Sequence, residues 1–140
     1  MMAAGLLLMA CELEVSDNGD LDGLWQLTAI DSVASGVSVD MHESGEYWAV
    51  QMHLLEVRNS KGQHGGQYFR FTLADGYLTL RTPYLDASGQ TDTTRVVDVK
   101  PLRRFGISSI DERFRVLRLD GGKMVLLNGE EAIRLSFRKY

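Results

Sequence analysis

Oxygen-bearing side chains alternate in the segment NGDLDG at residues 18–23, as they do at the start of a calcium-binding loop. Such a loop needs a glutamate at its twelfth position, which binds the ion through both carboxylate oxygens. When Asn18 is counted as the first position, the twelfth is Ala29. The residues after Gly23 also have the alternation of a strand and not the pattern of an exit helix. The sequence therefore does not predict a calcium site here.

The three histidines, His42, His53 and His64, are too far apart in the sequence to share a metal ion through i, i+2 or i, i+4 spacing. A zinc ion needs three or four converging ligands, which this spacing does not provide. We expect no metal site.

The sequence offers no evident catalytic group. A Gly-x-Ser-x-Gly motif is absent, and the single cysteine, Cys11, lies at the end of an N-terminal apolar run. Adjacent carboxylates occur at Asp111-Glu112 and Glu130-Glu131, in predicted loops or turns where solvent exposure is the usual state. Neighbours on a strand point to opposite sides, so such a pair is a poor acid–base dyad. We expect that the protein is not an enzyme and uses no cofactor.

Composition indicates one globular domain. The chain has 140 residues, of which 44% are hydrophobic and 24% charged, and its net charge is −4. A nucleic-acid-binding protein usually has a basic face, so we expect no nucleic-acid partner. The clustered arginines could attract an anion, but we interpret them as solvent-facing; they are Arg103, Arg104, Arg113, Arg115 and Arg118.

Hydrophobic residues recur with a period of two along most of the chain, which predicts β-strands with one buried face. Residues 24–30 form the first predicted strand. Residues 47–58 are predicted as one long strand that places Trp48 and Met52 on the same face. Further strands are predicted around Phe69 and toward the end of the chain.

Short turn motifs separate these strands. Asp75-Gly76 and Asn128-Gly129 are typical of tight hairpins, because both pairs tolerate positive φ. Residues 96–105 are predicted as a short helix or an irregular cover, since Pro101 interrupts a longer helix. Seven strands are evident, and residues 93–99 suggest an eighth. The predicted fold class is therefore all-β, an up-and-down antiparallel barrel of about eight strands, because closure leaves no exposed edge.

The N-terminus carries a second kind of signal. The apolar run at residues 1–10 is too short to cross a bilayer as a helix but fits the apolar part of a secretory signal. Leu8-Met9-Ala10-Cys11 resembles a bacterial lipobox, in which the cysteine is lipidated and the preceding residues are removed. The resemblance implies a signal peptide at 1–10, a lipidated Cys11 with an acidic tether at 11–22, and a folded domain at 23–140.

A lipidated cysteine implies a location in the cell envelope. Acyl chains on Cys11 would hold the protein on a membrane, as an outer-membrane lipoprotein that faces the periplasm or the cell surface. The acidic residues that follow, among them Glu12 and Glu14, resemble the surface-export signal of some Gram-negative anaerobes.

Both ends of the folded part resemble a lipocalin. Gly23-Leu24-Trp25 begins the first strand, and Phe137-Arg138-Lys139-Tyr140 ends the chain. More closely, the chain is similar to calycin-type, lipocalin-like lipoproteins of Gram-negative anaerobic bacteria. The resemblance implies a basic residue packed over Trp25 to close one barrel end, with Arg138 as the first choice and Lys139 as the second. The middle motif of the family is hinted at by Thr91-Asp92-Thr93.

Two functions follow from a barrel of this kind. In the first, the interior holds a small apolar or amphipathic ligand without catalysis. The predicted wall residues of that cavity are Trp48, Met52, Phe69, Phe71 and Leu80. In the second, the same side chains fill the interior, and the sealed barrel is a protein-interaction or structural module of the cell envelope.

Overall fold

The protein folds as a closed antiparallel β-barrel. The computed structural model describes residues 18–85, 94–128 and 132–140. The strands in these ranges are β1 (Gly23–Ser32), β2 (Ser38–Asp40), β3 (Glu46–Gln51), β4 (Leu54–Asn59), β5 (Gly65–Ala74), β6 (Tyr77–Leu85), β7 (Thr94–Arg95), β8 (Glu112–Leu119), β9 (Lys123–Asn128) and β10 (Ile133–Lys139).

Eight of these strands form the ring. Their order is β10-β9-β8-β6-β5-β4-β3-β1, and an antiparallel pairing of β1 with β10 closes it. The two short strands lie beside it: β2 pairs with β1, and β7 pairs with β6. The predicted up-and-down barrel of about eight strands is confirmed. The Asp75-Gly76 hairpin also forms, with positive φ at both residues.

The segment 47–58 is two strands and not one. β3 ends at Gln51 and β4 begins at Leu54, so Met52 and His53 form the turn between them. Met52 has a φ of 55°, which is unusual for a residue with a side chain. The sequence concealed this turn because it contains none of the residues that favour one. Past it the alternation changes phase, and the inward residues of β4 are Leu55 and Val57.

Two short 3₁₀ helices in the described ranges cover the barrel. The first, Gly19–Leu21, precedes β1. The second, Lys100–Phe105, covers the opposite end, where β8 begins. Pro101 lies in its first turn, where a missing N–H costs nothing. Gly106 ends it with a left-handed φ of 85°. This helix lies within residues 96–105, which were predicted as a short helix or an irregular cover. Among the described residues, the strand expected at 93–99 comprises Thr94–Arg95.

The folded part begins earlier than predicted. Leu21, which was assigned to the tether, is 1% exposed, and its carbonyl oxygen accepts the indole N–H of Trp25 at 2.8 Å. The segment from Asn18 to Asp22 is therefore packed on the barrel, because an indole N–H in the core needs a buried acceptor. Cys11 and the motif 91–93 lie outside the described residues. Within the described ranges, no helix combines the length and apolar character needed to cross a membrane.

Large apolar side chains from the ring strands and both 3₁₀ helices form one core. The largest fully buried members are Trp25, Trp48, Phe69, Phe105, Phe114 and Phe137, followed by Leu21, Leu27, Leu55, Leu78, Leu80 and Leu102.

Candidate functional site

The barrel interior was the predicted ligand site, and it is occupied by side chains. Trp48, Phe69 and Leu80 point into it and have no exposed surface. The ring of Trp48 lies with its centroid 4.8 Å from that of Phe137 and 5.8 Å from that of Phe114, at tilted and edge-to-face angles. These distances are those of aromatic rings in direct contact. The three residues are therefore packed in the core.

The other two predicted wall residues do not complete a wall. Met52 lies in the β3–β4 turn and is 50% exposed. Phe71 is partly buried at the edge of the core. Together with Asn18, both line a small cleft of about 210 Å³ that is open to solvent. The prediction of a single five-residue wall is therefore wrong, because the turn at Met52 takes its side chain out of the strand alternation.

The residue over Trp25 is Lys139 and not Arg138. Lys139 Nζ lies 4.8 Å from the centroid of the Trp25 ring and donates to the carbonyl oxygen of Asp20 at 2.9 Å. The register explains the choice, since β1 and β10 pair Trp25 with Lys139 and Gln26 with Arg138. Arg138 Nε donates to Gln26 Oε1 at 2.6 Å. Lys139, the second choice of the sequence prediction, therefore packs over Trp25 in place of Arg138, the first choice.

The opposite end of the barrel is plugged by the helix Lys100–Phe105 and the residues after it. Leu102, Phe105 and Ile107 have no exposed surface. Trp48 Nε1 donates to the carbonyl oxygen of Phe105 at 3.0 Å, which joins the plug to the centre of the core. The end at which a small barrel would usually admit a ligand is therefore filled.

A polar cluster attaches this plug to the barrel rim. Glu46 begins β3 and is almost fully buried. His64 Nε2 lies 2.7 and 2.9 Å from the two carboxylate oxygens of Glu46, so it carries the proton and donates. The other ring nitrogen, Nδ1, accepts from Arg104 Nη1 at 2.8 Å. Asn59 Nδ2 adds a donor to Glu46 Oε1 at 3.3 Å. Both histidine nitrogens are thus occupied by protein groups.

A second buried carboxylate lies on the same rim. Glu112 accepts hydrogen bonds from the backbone N–H of Ser108 at 2.9 Å, from the Ser108 hydroxyl at 3.1 Å and from Asn128 Nδ2. Burial raises the pKa of the Glu112 carboxyl above its ordinary value, although these hydrogen bonds oppose the shift. The neighbouring Asp111 accepts the backbone N–H of Thr82 at 3.1 Å. The adjacent carboxylates of Asp111 and Glu112 therefore accept hydrogen bonds from different parts of the chain.

Sequence reasoning missed both buried carboxylates. Glu112 was predicted to be solvated, yet it lies two residues before Phe114 on the inward face of β8, so the alternation could have indicated its burial. Glu46 lies two residues before Trp48 in the same way. Among the described residues, no group of three or more His, Cys, Asp or Glu side chains could hold a metal ion.

A row of side chains from neighbouring strands crosses the outside of the barrel. Strand pairing places one residue of each strand in a line that crosses β1, β3, β4, β5 and β6 and ends at β7. In order, these residues are Leu24, Ala49, Glu56, Tyr68, Tyr84 and Arg95. A cleft of about 690 Å³ lies along the row, and we call it the outer cleft; it is lined in part by Ala49, Leu54, Arg58, Tyr68, Arg70 and Tyr84. A further cleft of about 330 Å³ continues it toward Leu24.

Comparison with known families identifies the family to which this fold belongs. A family model described as a lipocalin-like domain matches residues 6–140. The chain belongs to the lipocalin-like family. The resemblance first seen at the two ends of the folded part is confirmed, and it extends over the strands between them.

Two solved structures are similar to this lipocalin-like barrel. A lipocalin-like protein from Bacteroides uniformis has 21% sequence identity and a TM-score of 0.61, and the match covers 87% of this chain and all of the other. An uncharacterized protein from Bacteroides eggerthii has 21% identity and a TM-score of 0.57, with 85% and 98% of the chains covered. At this identity the likeness shows the fold alone. A search of curated proteins found no match.

Proposed function

We propose that this lipocalin-like protein is a lipid-anchored, non-catalytic component of the cell envelope that acts through the outside of a sealed barrel. The observation that carries the proposal is the packing of Trp48. Its ring contacts Phe114 and Phe137, and its N–H is bonded to Phe105 of the plug. An eight-stranded barrel can hold a small ligand or be filled by its own side chains, and this packing supports the second case.

The polar clusters support the non-catalytic part of the proposal. A general acid or base must reach a substrate atom within hydrogen-bonding distance. His64 instead has one nitrogen on Glu46 and the other on Arg104, while Glu112 accepts three protein hydrogen bonds. These groups attach loops to the barrel rim. A structural role accounts for their burial.

The anchor rests on the lipobox resemblance at Cys11, and its test is separate from that of the barrel. Cells that express the full-length chain would be fed a clickable palmitate analogue, and the protein would be isolated after fractionation. We expect the label on the wild type in the membrane fraction and its loss in Cys11→Ser. An unlabelled wild-type chain in the soluble fraction would contradict the anchor. Protease added to intact cells would distinguish surface from periplasmic exposure.

The sealed barrel can be tested by native mass spectrometry of the full-length Cys11→Ser chain, purified without organic extraction. We expect the mass of the polypeptide alone. Phe69→Ala with added benzene is a positive control, because we expect removal of this buried ring to open an apolar cavity that can bind benzene. An apolar molecule bound to the unsubstituted barrel in equal amount would overturn the proposal and restore the interior as the ligand site.

A further inference from the structure

The outer cleft combines aromatic and small apolar surface. Tyr68 and Tyr84 lie opposite each other on β5 and β6, and their rings are stacked with centroids 5.8 Å apart and planes 21° apart. Ala49 lies in the same row on β3, where its small side chain adds depth to the cleft. Leu54 adds apolar surface at the start of β4. A flat apolar molecule could therefore lie against this part of the barrel.

Arginines surround this aromatic surface. Arg58 and Arg70 line the cleft, Arg81 lies directly opposite Arg70, and Arg95 lies directly opposite Tyr84. The acidic side chain in the row is Glu56, whose Oε1 is 3.2 Å from Arg58 Nε. Within the described part of the chain, Arg70 and Arg81 have no ion-pair partner. A protein with a net charge of −4 thus has a locally basic face.

The pairing of Arg70 with Arg81 is unfavourable in the absence of an anion. Like charges directly opposite each other on neighbouring strands destabilise a sheet. An anion between the two guanidinium groups would replace this repulsion with charge-assisted hydrogen bonds. The cleft volume of about 690 Å³ lies within the usual range for a small-molecule site.

We propose that the outer cleft binds an anionic amphiphile, whose flat apolar part lies on Tyr68 and Tyr84 and whose carboxylate, sulfate or phosphate group is held by Arg70 and Arg81. The proposal rests on the proposed function, because it takes the outside of the barrel as the binding part. It adds the place and the chemical class of the ligand.

The test uses two fluorescent probes that differ in one group. Anilinonaphthalene sulfonate has two flat ring systems and a sulfonate, and N-phenyl-1-naphthylamine has the same rings without it. Each would be titrated into the folded full-length Cys11→Ser chain at low salt. We expect saturable, one-to-one binding of the sulfonate probe, with about tenfold or greater weakening when the sulfonate is absent.

Matched variants locate the site. Arg70→Gln and Tyr68→Ala change side chains on the outer face, so far-UV circular dichroism should confirm that both still fold. We expect each to weaken binding of the sulfonate probe by about fivefold or more. Arg118→Gln is the control, because Arg118 is also exposed but pairs with Asp120 in another hairpin. Binding that is unchanged in Arg70→Gln and Tyr68→Ala would overturn the proposal.

The two proposals fail in different ways. If the folded protein binds neither probe, the outer site is wrong while the sealed barrel stands. If it binds the uncharged probe as tightly as the sulfonate and the outer variants have no effect, the ligand is inside and the sealed barrel is wrong.

A membrane surface could present the same anionic groups, and vesicles test that source. We expect the Cys11→Ser chain to remain in the supernatant when vesicles of phosphatidylglycerol or phosphatidylcholine are sedimented. Co-sedimentation with phosphatidylglycerol alone that is lost in Arg70→Gln would overturn the small-molecule proposal in favour of a lipid surface.

Discussion

Trp48 at the centre of the barrel donates its indole N–H to the backbone carbonyl oxygen of Phe105, 57 residues later in the chain, at 3.0 Å. This bond joins the core to the plug, because Phe105 is the last residue of the helix Lys100–Phe105 and is itself fully buried. A buried indole N–H without an acceptor would destabilise the fold. The plug therefore supplies the hydrogen-bond acceptor for Trp48 as well as covering the core. The plug is therefore part of the folded core.

Removal of the plug side chain should be strongly destabilising. We expect Phe105→Ala to lower the free energy of unfolding by about 3–5 kcal/mol, because it deletes a buried ring and leaves a cavity under the plug. Urea denaturation measures this change. The control is Val97→Ala, since Val97 lies three residues before the same helix and is 83% exposed. A loss in Phe105→Ala no larger than that in Val97→Ala would show that the plug is not packed as described.

The end of the plug helix should accept glycine alone. Gly106 has a φ of 85°, and a Cβ there would lie 2.6 Å from Leu135 Cδ2. Gly36 has a φ of 72° and open space around it. We expect Gly36→Ala to cost about 1–2 kcal/mol for its backbone conformation, and Gly106→Ala to cost at least about 1 kcal/mol more for the clash. Equal unfolding midpoints for the two variants would contradict this close approach.

The contact between Lys139 and Trp25 should be visible in the spectrum of the indole. We expect Lys139→Met to shift the ring-proton resonances of Trp25 and to lower the free energy of unfolding by about 1 kcal/mol, since it removes a cation–π contact and a hydrogen bond. Arg138→Met is the matched control, because Arg138 faces Gln26. Resonances of Trp25 that move in Arg138→Met and not in Lys139→Met would assign the barrel closure to Arg138.

The stability of the fold should contain a pH-dependent contribution from Glu112. Burial raises the pKa of this carboxyl above its ordinary 4.5, so the folded protein binds the proton more tightly than the unfolded chain does. The resulting stabilisation is complete below pH 4.5 and is lost as the pH rises through the raised pKa. We expect the free energy of unfolding of the wild type, relative to Glu112→Gln, to fall between acidic and neutral pH.

Urea midpoints of both proteins across this pH range provide the measurement, and Glu43→Gln, at an exposed position, is the control. A difference between wild type and Glu112→Gln that does not change with pH would contradict the raised pKa.

Much of the fold was predictable because strands and turns are encoded locally. The alternation around Trp48 and Phe69 indicated which faces are buried, and Asp75-Gly76 indicated a hairpin. The prediction failed at Met52, where a turn forms without glycine, proline, asparagine or aspartate. One hidden turn was enough to misplace the inward face of β4, since a shift of one residue exchanges the two faces of a strand.

Local residue patterns were sufficient to predict the fold class, the two lipocalin-like ends and the inward position of Trp48, because each depends on residue types a few positions apart. The tertiary structure decided which distant groups meet: Lys139 over Trp25, Arg70 opposite Arg81, and a plug that fills the barrel. These contacts depend on the strand register around a closed ring, and on the summed volume of side chains from every strand. Neither quantity can be read from a local pattern, so the proposed site on the outer face of the barrel depends on the strand register and not on any one segment of the sequence.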